Sequence, residues 1–80
     1  MSKLEIRSPL PGTFYRSPAP GSPPFKADGD TVLASDAIGL VETMKIFQEV
    51  YAGVEGTAIR FLIGNEEPVM AGQVIAEVGQ

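Results

Sequence analysis

Ala37-Ile38-Gly39-Leu40-Val41-Glu42-Thr43-Met44-Lys45-Ile46-Phe47-Gln48-Glu49-Val50-Tyr51 is the stretch on which the fold turns, because it accepts two readings. Leu40, Met44, Phe47 and Tyr51 follow i, i+4, i+7, i+11 spacing, which suits one face of an amphipathic helix. Against that stand Gly39 and the β-branched Ile38, Val41, Ile46 and Val50, which weaken a helix and suit two short strands. Periodicity alone leaves both open. In either reading one lysine, Lys45, stands behind a methionine among mostly apolar neighbours.

The flanking sequence reads as strands. Leu4-Glu5-Ile6-Arg7 alternates with a period of two, and Ser8-Pro9 with Pro11-Gly12 then stops it by turn chemistry. Thr13-Phe14-Tyr15, Thr31-Val32-Leu33, Thr57 to Ile63 and Val74 to Val78 are further candidates, with turns at Asp28-Gly29-Asp30, Gly53 to Gly56 and Asn65 to Pro68. Many short strands separated by Gly and Pro indicate an all-β sandwich or barrel. Ser17 to Pro24 carries four prolines in eight positions, so it forms neither a helix nor a central strand and is expected to be a stiff exposed loop.

The two halves also echo each other. Pro11 to Tyr15 matches Glu55 to Ile59 at an offset of 44 (56 minus 12), and Val32 with Ala37-Ile38 matches Val69 with Val74-Ile75 at 37 (69 minus 32). The offset falls by seven, so the first half holds about seven surplus residues between Tyr15 and Val32, and the proline-rich run is the obvious surplus.

Bulk composition narrows the function. The 80 residues are expected to form a single domain, 1–80, which buries only about 60–65% of its unfolded surface and relies on packing. Cys and His are both absent, which removes disulfides and the ligands of a structural zinc site, and no metal is expected. A net charge of −4 with six scattered basic residues argues against nucleic acid. No segment approaches the ~20 apolar residues of a membrane span, so no membrane role and a cytoplasmic location are expected. Asp28, Asp30 and Asp36 look like turn residues rather than an acid–base pair, so a self-sufficient enzyme has little support.

Glu42-Thr43-Met44-Lys45-Ile46 resembles the Glu-Ala-Met-Lys-Met signature of biotinyl domains, in which the lysine carries biotin through an amide bond. Ser8-Pro9-Leu10-Pro11-Gly12-Thr13-Phe14-Tyr15-Arg16-Ser17-Pro18 is similar to the opening of the carrier domains of multi-subunit acetyl-CoA carboxylases. The resemblance runs from Ile6 to Val78 and selects the strand reading of the central stretch. It implies a flattened β-sandwich of two four-stranded antiparallel sheets with pseudo-twofold symmetry, a hairpin tip at Met44-Lys45, and a protruding thumb at about 17–24.

What the resemblance implies for function is a non-catalytic carrier. Biotin on Lys45 would shuttle carboxylate from biotin carboxylase to carboxyltransferase, with acetyl-CoA the expected acceptor and malonyl-CoA for fatty acid synthesis the product. Glu42, Thr43, Met44 and Ile46 would be read by biotin protein ligase, and Ser17, at the base of the thumb, would contact the biotin ring. Taken singly, Met44 is an ordinary exposed apolar residue, Glu42 a solvated charge and Ser17 a turn residue. Thr43 and Ile46 depart from the signature's Ala and second Met, and Ser35-Asp36 stands where the family has Gly-Asp. Lipoyl domains, the nearest competitor, resemble Asp-Lys at the tip. Other readings are a carrier for a different carboxylase and an unmodified interaction module.

Overall fold

Residues 3–79 are described by a computed structural model. Seven strands and no helix are present among them: β1 (Lys3–Arg7), β2 (Gly12–Tyr15), β3 (Ala37–Thr43), β4 (Ile46–Tyr51), β5 (Ala58–Phe61), β6 (Glu67–Val69) and β7 (Val74–Gly79). All pairings are antiparallel, giving one sheet in the order β1-β7-β5 and another in the order β4-β3-β2-β6. The ambiguous central stretch is therefore a hairpin. Gly39 belongs in its strand because a Cβ there would lie 2.4 Å from Phe14 Cε1, inside the core.

One sheet has three strands where four were expected. The fourth place is taken by the run 29–32, which lies along the free edge of β5 but pairs irregularly. Gly29 N–H donates to Ile59 O at 2.7 Å, Ile59 N–H to Asp30 O at 3.0 Å, and Val32 and Gly56 form a single bridge. The expected strand Thr31-Val32-Leu33 does not pair continuously because two residues, Thr57 and Ala58, stand opposite the single Thr31 between the Ile59–Asp30 and Gly56–Val32 contacts, and turns close on both sides. Asp30 Oδ2 accepts the Ala27 N–H at 2.8 Å, and Asp36 Oδ2 accepts the Leu33 N–H at 2.9 Å. Ser35-Asp36 thus makes a tight turn without the family's glycine. The second-half turn is shorter than expected, since β6 begins at Glu67. Pro68 is tolerated there because β6 is an edge strand.

The pseudo-twofold is visible in the register. The pair Lys3↔Gly79 is the mate of Phe47↔Glu42, and Arg7↔Val74 is the mate of Tyr51↔Ala37, so β1 maps onto β4 at an offset of 44 and β3 onto β7 at 37. Both pairs carry a bulge at the equivalent residue, Ile75 in one and Ile38 in the other. The hydrogen bonds repeat as well: Ser8 N–H to Gln73 O at 2.9 Å mirrors Ala52 N–H to Asp36 O at 2.8 Å. Leu33 N–H to Asp36 Oδ2 likewise mirrors Met70 N–H to Gln73 Oε1, both at 2.9 Å. The core is consequently written twice, as Ile6 with Val50, Val32 with Val69, Ile38 with Ile75 and Val41 with Val78, all buried.

Thr57 N–H and the residue after it both face Gly79, so Thr57 is a bulge, and β2 maps onto β5 at 45 rather than 44. Phe14 is then the mate of Ile59, both core residues, and not of Ala58, which is exposed. With that bulge counted, the first-half surplus is eight residues (45 minus 37), the length of Ser17–Pro24. The thumb's base is closed by Phe25 N–H donating to Arg16 O at 2.9 Å.

Candidate functional site

β3 and β4 are joined by two residues, Met44 and Lys45, with Thr43↔Ile46 as the last pair of the ladder. Met44 has φ 51° and Lys45 φ 65°. Two left-handed central residues define the type I′ turn that matches strand twist, usually made by Asn-Gly. A non-glycine residue in this region costs about 1–2 kcal/mol, and the ladder behind the turn, running back to Ala37↔Tyr51, holds it in place. The result is a projecting tip: Met44 is 92% exposed, Ile46 67%, and Lys45 is exposed too.

Among the described residues Lys45, like Arg60, stands apart from the paired cations. Lys3, Arg7, Arg16 and Lys26 each reach a carboxylate, at 3.7, 2.6, 3.9 and 3.1 Å respectively. Lys45 makes neither an ion pair nor a side-chain hydrogen bond among the described residues. Its primary amine stands exposed just beyond the last pair of the ladder.

Behind the tip, the outer face of the four-stranded sheet forms a groove roofed by the thumb. Glu42 and Phe47 share one cross-strand row, and Tyr15 and Leu40 share the next. Directly opposed residues point to the same face. The groove has a volume of about 360 Å³ and is lined by Tyr15, Leu40 and Phe47 beneath, Ser17 to Gly21 above, and Asn65 and Glu66 at the side. The rings of Tyr15 and Phe47 lie 6.2 Å apart. Tyr15 Oη donates to Glu42 Oε1 at 2.9 Å. That bond, then partial burial, then the charges of Glu42 and Glu66 push the phenol above its usual 10.0, so Tyr15 stays a donor.

The five residues expected at the tip, Glu42, Thr43, Met44, Lys45 and Ile46, are together at the hairpin end, with Glu42 half-buried against Tyr15 rather than freely solvated. Ser17 lines the thumb groove, while Lys45 does not. Tyr15, Leu40, Phe47, Asn65 and Glu66 were not singled out from sequence. For Tyr15 and Phe47 the usable signal was strand alternation, which puts them on the face opposite the core residues Phe14 and Val41. For Glu66 the sequence carried none. Among the described residues no cluster of acidic side chains is arranged to hold a metal ion, and no helix is long and apolar enough to cross a membrane.

Residues 4–78 match the family described as biotin-requiring enzymes. The biotin carboxyl carrier protein of acetyl-CoA carboxylase from Chlamydia pneumoniae is 44% identical over 75 residues, which cover 94% of this chain and 45% of that protein. Its namesake from Nostoc sp. strain PCC 7120 is 39% identical over 74 residues, covering 92% and 41%. A chloroplastic form from Arabidopsis thaliana is 42% identical over 64 residues, covering 80% and 25%. The chain thus spans less than half the length of these relatives.

Proposed function

The chain belongs to the family of biotin-requiring enzymes, and from that premise we propose that residues 1–80 act as one biotin carboxyl carrier domain with biotin in amide linkage to Lys45. The observation that carries this reading is the exposed, unpaired amine on a two-residue left-handed turn. Such a tip can enter a foreign active site while the ladder behind it keeps its shape.

The residues fit the group. Lys45 would hold it covalently, and the groove's aromatic floor with polar Ser17, Asn65 and Glu66 at its margins suits a bicyclic urea, which has apolar faces and a hydrogen-bonding rim. Ser17 is assigned a contact to that ring, since a hydroxyl both donates and accepts. When bound, biotin supplies the ureido nitrogen that takes up carboxylate. The chain's own contribution is position: a tethered group visits two enzyme sites at an effective concentration set by the tether, without release to bulk solvent.

Recognition by biotin protein ligase is assigned to Glu42, Thr43, Met44 and Ile46. Met44 is the most exposed of the apolar residues at the tip, and Glu42 ties β3 to β2 by accepting the Tyr15 hydroxyl. The partners are then biotin protein ligase, biotin carboxylase and carboxyltransferase, in the cytoplasm, with acetyl-CoA as acceptor and malonyl-CoA for fatty acid synthesis as the product. The domain itself catalyses no step. The test is transfer of label from bicarbonate. With ATP and biotin carboxylase the biotinylated chain should become labelled and, with carboxyltransferase, pass the label to acetyl-CoA. Labelling without discharge to acetyl-CoA would reassign the acceptor, and no labelling would reject the carrier role.

A further inference from the structure

The pseudo-twofold supplies an internal control for the thumb groove. Its lining residues Tyr15, Leu40, Phe47, Asn65 and Glu66 have as mates Arg60, Glu77, Lys3, Asp28 and Gly29, and those five line a second groove on the other sheet. The second groove has no thumb, and a Lys3–Glu77 ion pair at 3.7 Å occupies the place held by Phe47 and Leu40 in the first. One scaffold is thus built twice, and what differs marks the groove that is used.

The turn beside each groove is built alike. Asn65 Oδ1 accepts the Arg16 N–H at 2.8 Å, as Asp28 Oδ1 accepts the Phe61 N–H at 3.0 Å. The next residue donates its N–H at 2.7 Å in both cases, Glu66 to Phe14 O and Gly29 to Ile59 O. Both are left-handed, Gly29 at φ 94° and Glu66 at φ 63°. Glycine takes this conformation without steric cost and glutamate does not. Apart from Met44 and Lys45 at the tip, Glu66 is the one described non-glycine residue with positive φ.

The backbone alone would favour glycine at position 66, so the reason for glutamate lies in its side chain. That carboxylate makes no ion pair or side-chain hydrogen bond among the described residues, and it borders the groove. Its field reaches the groove floor, where after the bond to Glu42 and partial burial it helps hold the Tyr15 phenol protonated. Strain kept at such a position points to a ligand contact.

We propose that Glu66 is a cofactor-binding residue, whose carboxylate accepts a ureido N–H of the biotin carried on Lys45 when the ring lies beneath the thumb. The assignment rests on the carrier reading. The groove begins at Phe47, two residues from Lys45 and about 7 Å along the ladder at ~3.4 Å per residue, within the sweep of an acylated lysine. A cyclic urea presents N–H donors at its rim, and a charge-assisted bond to a carboxylate is stronger than one to a neutral acceptor.

The test uses the full chain, unmodified and biotinylated by biotin protein ligase, as wild type, E66Q and E66G. Amide chemical shifts of Tyr15, Ser17 and Leu40 should move on biotinylation of the wild type, and the docked fraction should fall about tenfold in both variants. Unmodified E66G should melt about 4 °C higher, from relief of the left-handed strain, while E66Q melts with the wild type. Equal shifts in E66Q would overturn the proposal, as would E66G melting below the wild type. Biotin on Lys45 with wild-type shifts confined to Met44 through Ile46 would overturn the docking but leave the carrier reading standing. Failure of Lys45 to take biotin would overturn both.

Discussion

Deleting Ser17–Pro24 joins Arg16 directly to Phe25, and the symmetry of the fold says what should happen. The shortened connection Arg16-Phe25-Lys26-Ala27 has the length of its mate Phe61-Leu62-Ile63-Gly64, which already bridges the same geometry in the second half. The loop between Arg16 and Ala27 falls from ten residues to two (17–26 against 25–26), which relieves about 1.4 kcal/mol of closure entropy from a (3/2)RT ln n dependence. Against this stands the loss of the Phe25 to Arg16 hydrogen bond, about 1 kcal/mol. The Ser22 to Ala19 bond is internal to the thumb and leaves no orphan when it goes. Net stability should therefore change by no more than about 1 kcal/mol, a shift of under about 8 °C in Tm for a domain of this size. Thermal unfolding followed by circular dichroism measures it. A non-cooperative melt, or a loss of more than about 3 kcal/mol, would show that the thumb is structural and refute the symmetry argument.

Met44→Ala should slow biotin ligation while leaving the melt within about 1 kcal/mol of wild type, because the residue is almost fully exposed; an unchanged ligation rate would remove Met44 from the recognition set. Gly39→Ala should cost about 1–3 kcal/mol, since its methyl would meet the Phe14 ring in a filled core, and chemical denaturation should show the midpoint fall. For Asp36, the Leu33 N–H first and the Lys26 ammonium second hold the carboxyl below its ordinary 3.8. Its folded value is depressed, so its stabilisation is present above 3.8 and lost as pH falls through the lower folded value; Asp36→Asn should flatten the acid limb of a stability–pH profile measured between about pH 5 and 2.

Much of this fold was legible in residue type, and the failures have physical causes. The helical spacing of Leu40, Phe47 and Tyr51 arises because two strands of period two, joined by a two-residue turn, place 40, 47 and 51 on one outer sheet face. Only the resemblance separated that pattern from a helix. The duplication was readable at Gly and Val positions repeated between the halves, because Gly12 and Gly56 each admit no Cβ against a neighbouring carbonyl, that of Glu42 and that of Gly79. The bulge at Thr57 was invisible, since an extra residue in a ladder leaves no chemical mark. The tip lysine was legible through its neighbours, but the groove was not. It depends on the thumb folding back over a face whose residues, Tyr15 and Phe47, read as ordinary strand aromatics. Glu66 was hidden for another reason: beside Asn65, the sequence offers asparagine as the natural left-handed residue, and the structure puts the positive φ on glutamate instead.

The carrier role requires the amine of Lys45 to be the site of modification. Intact-mass measurement of the chain made alongside a biotin protein ligase, followed by peptide mapping, should find one biotinyl group added, located on Lys45 and lost in Lys45→Arg. An unmodified wild-type mass, or a biotinyl group that persists in Lys45→Arg, would contradict it.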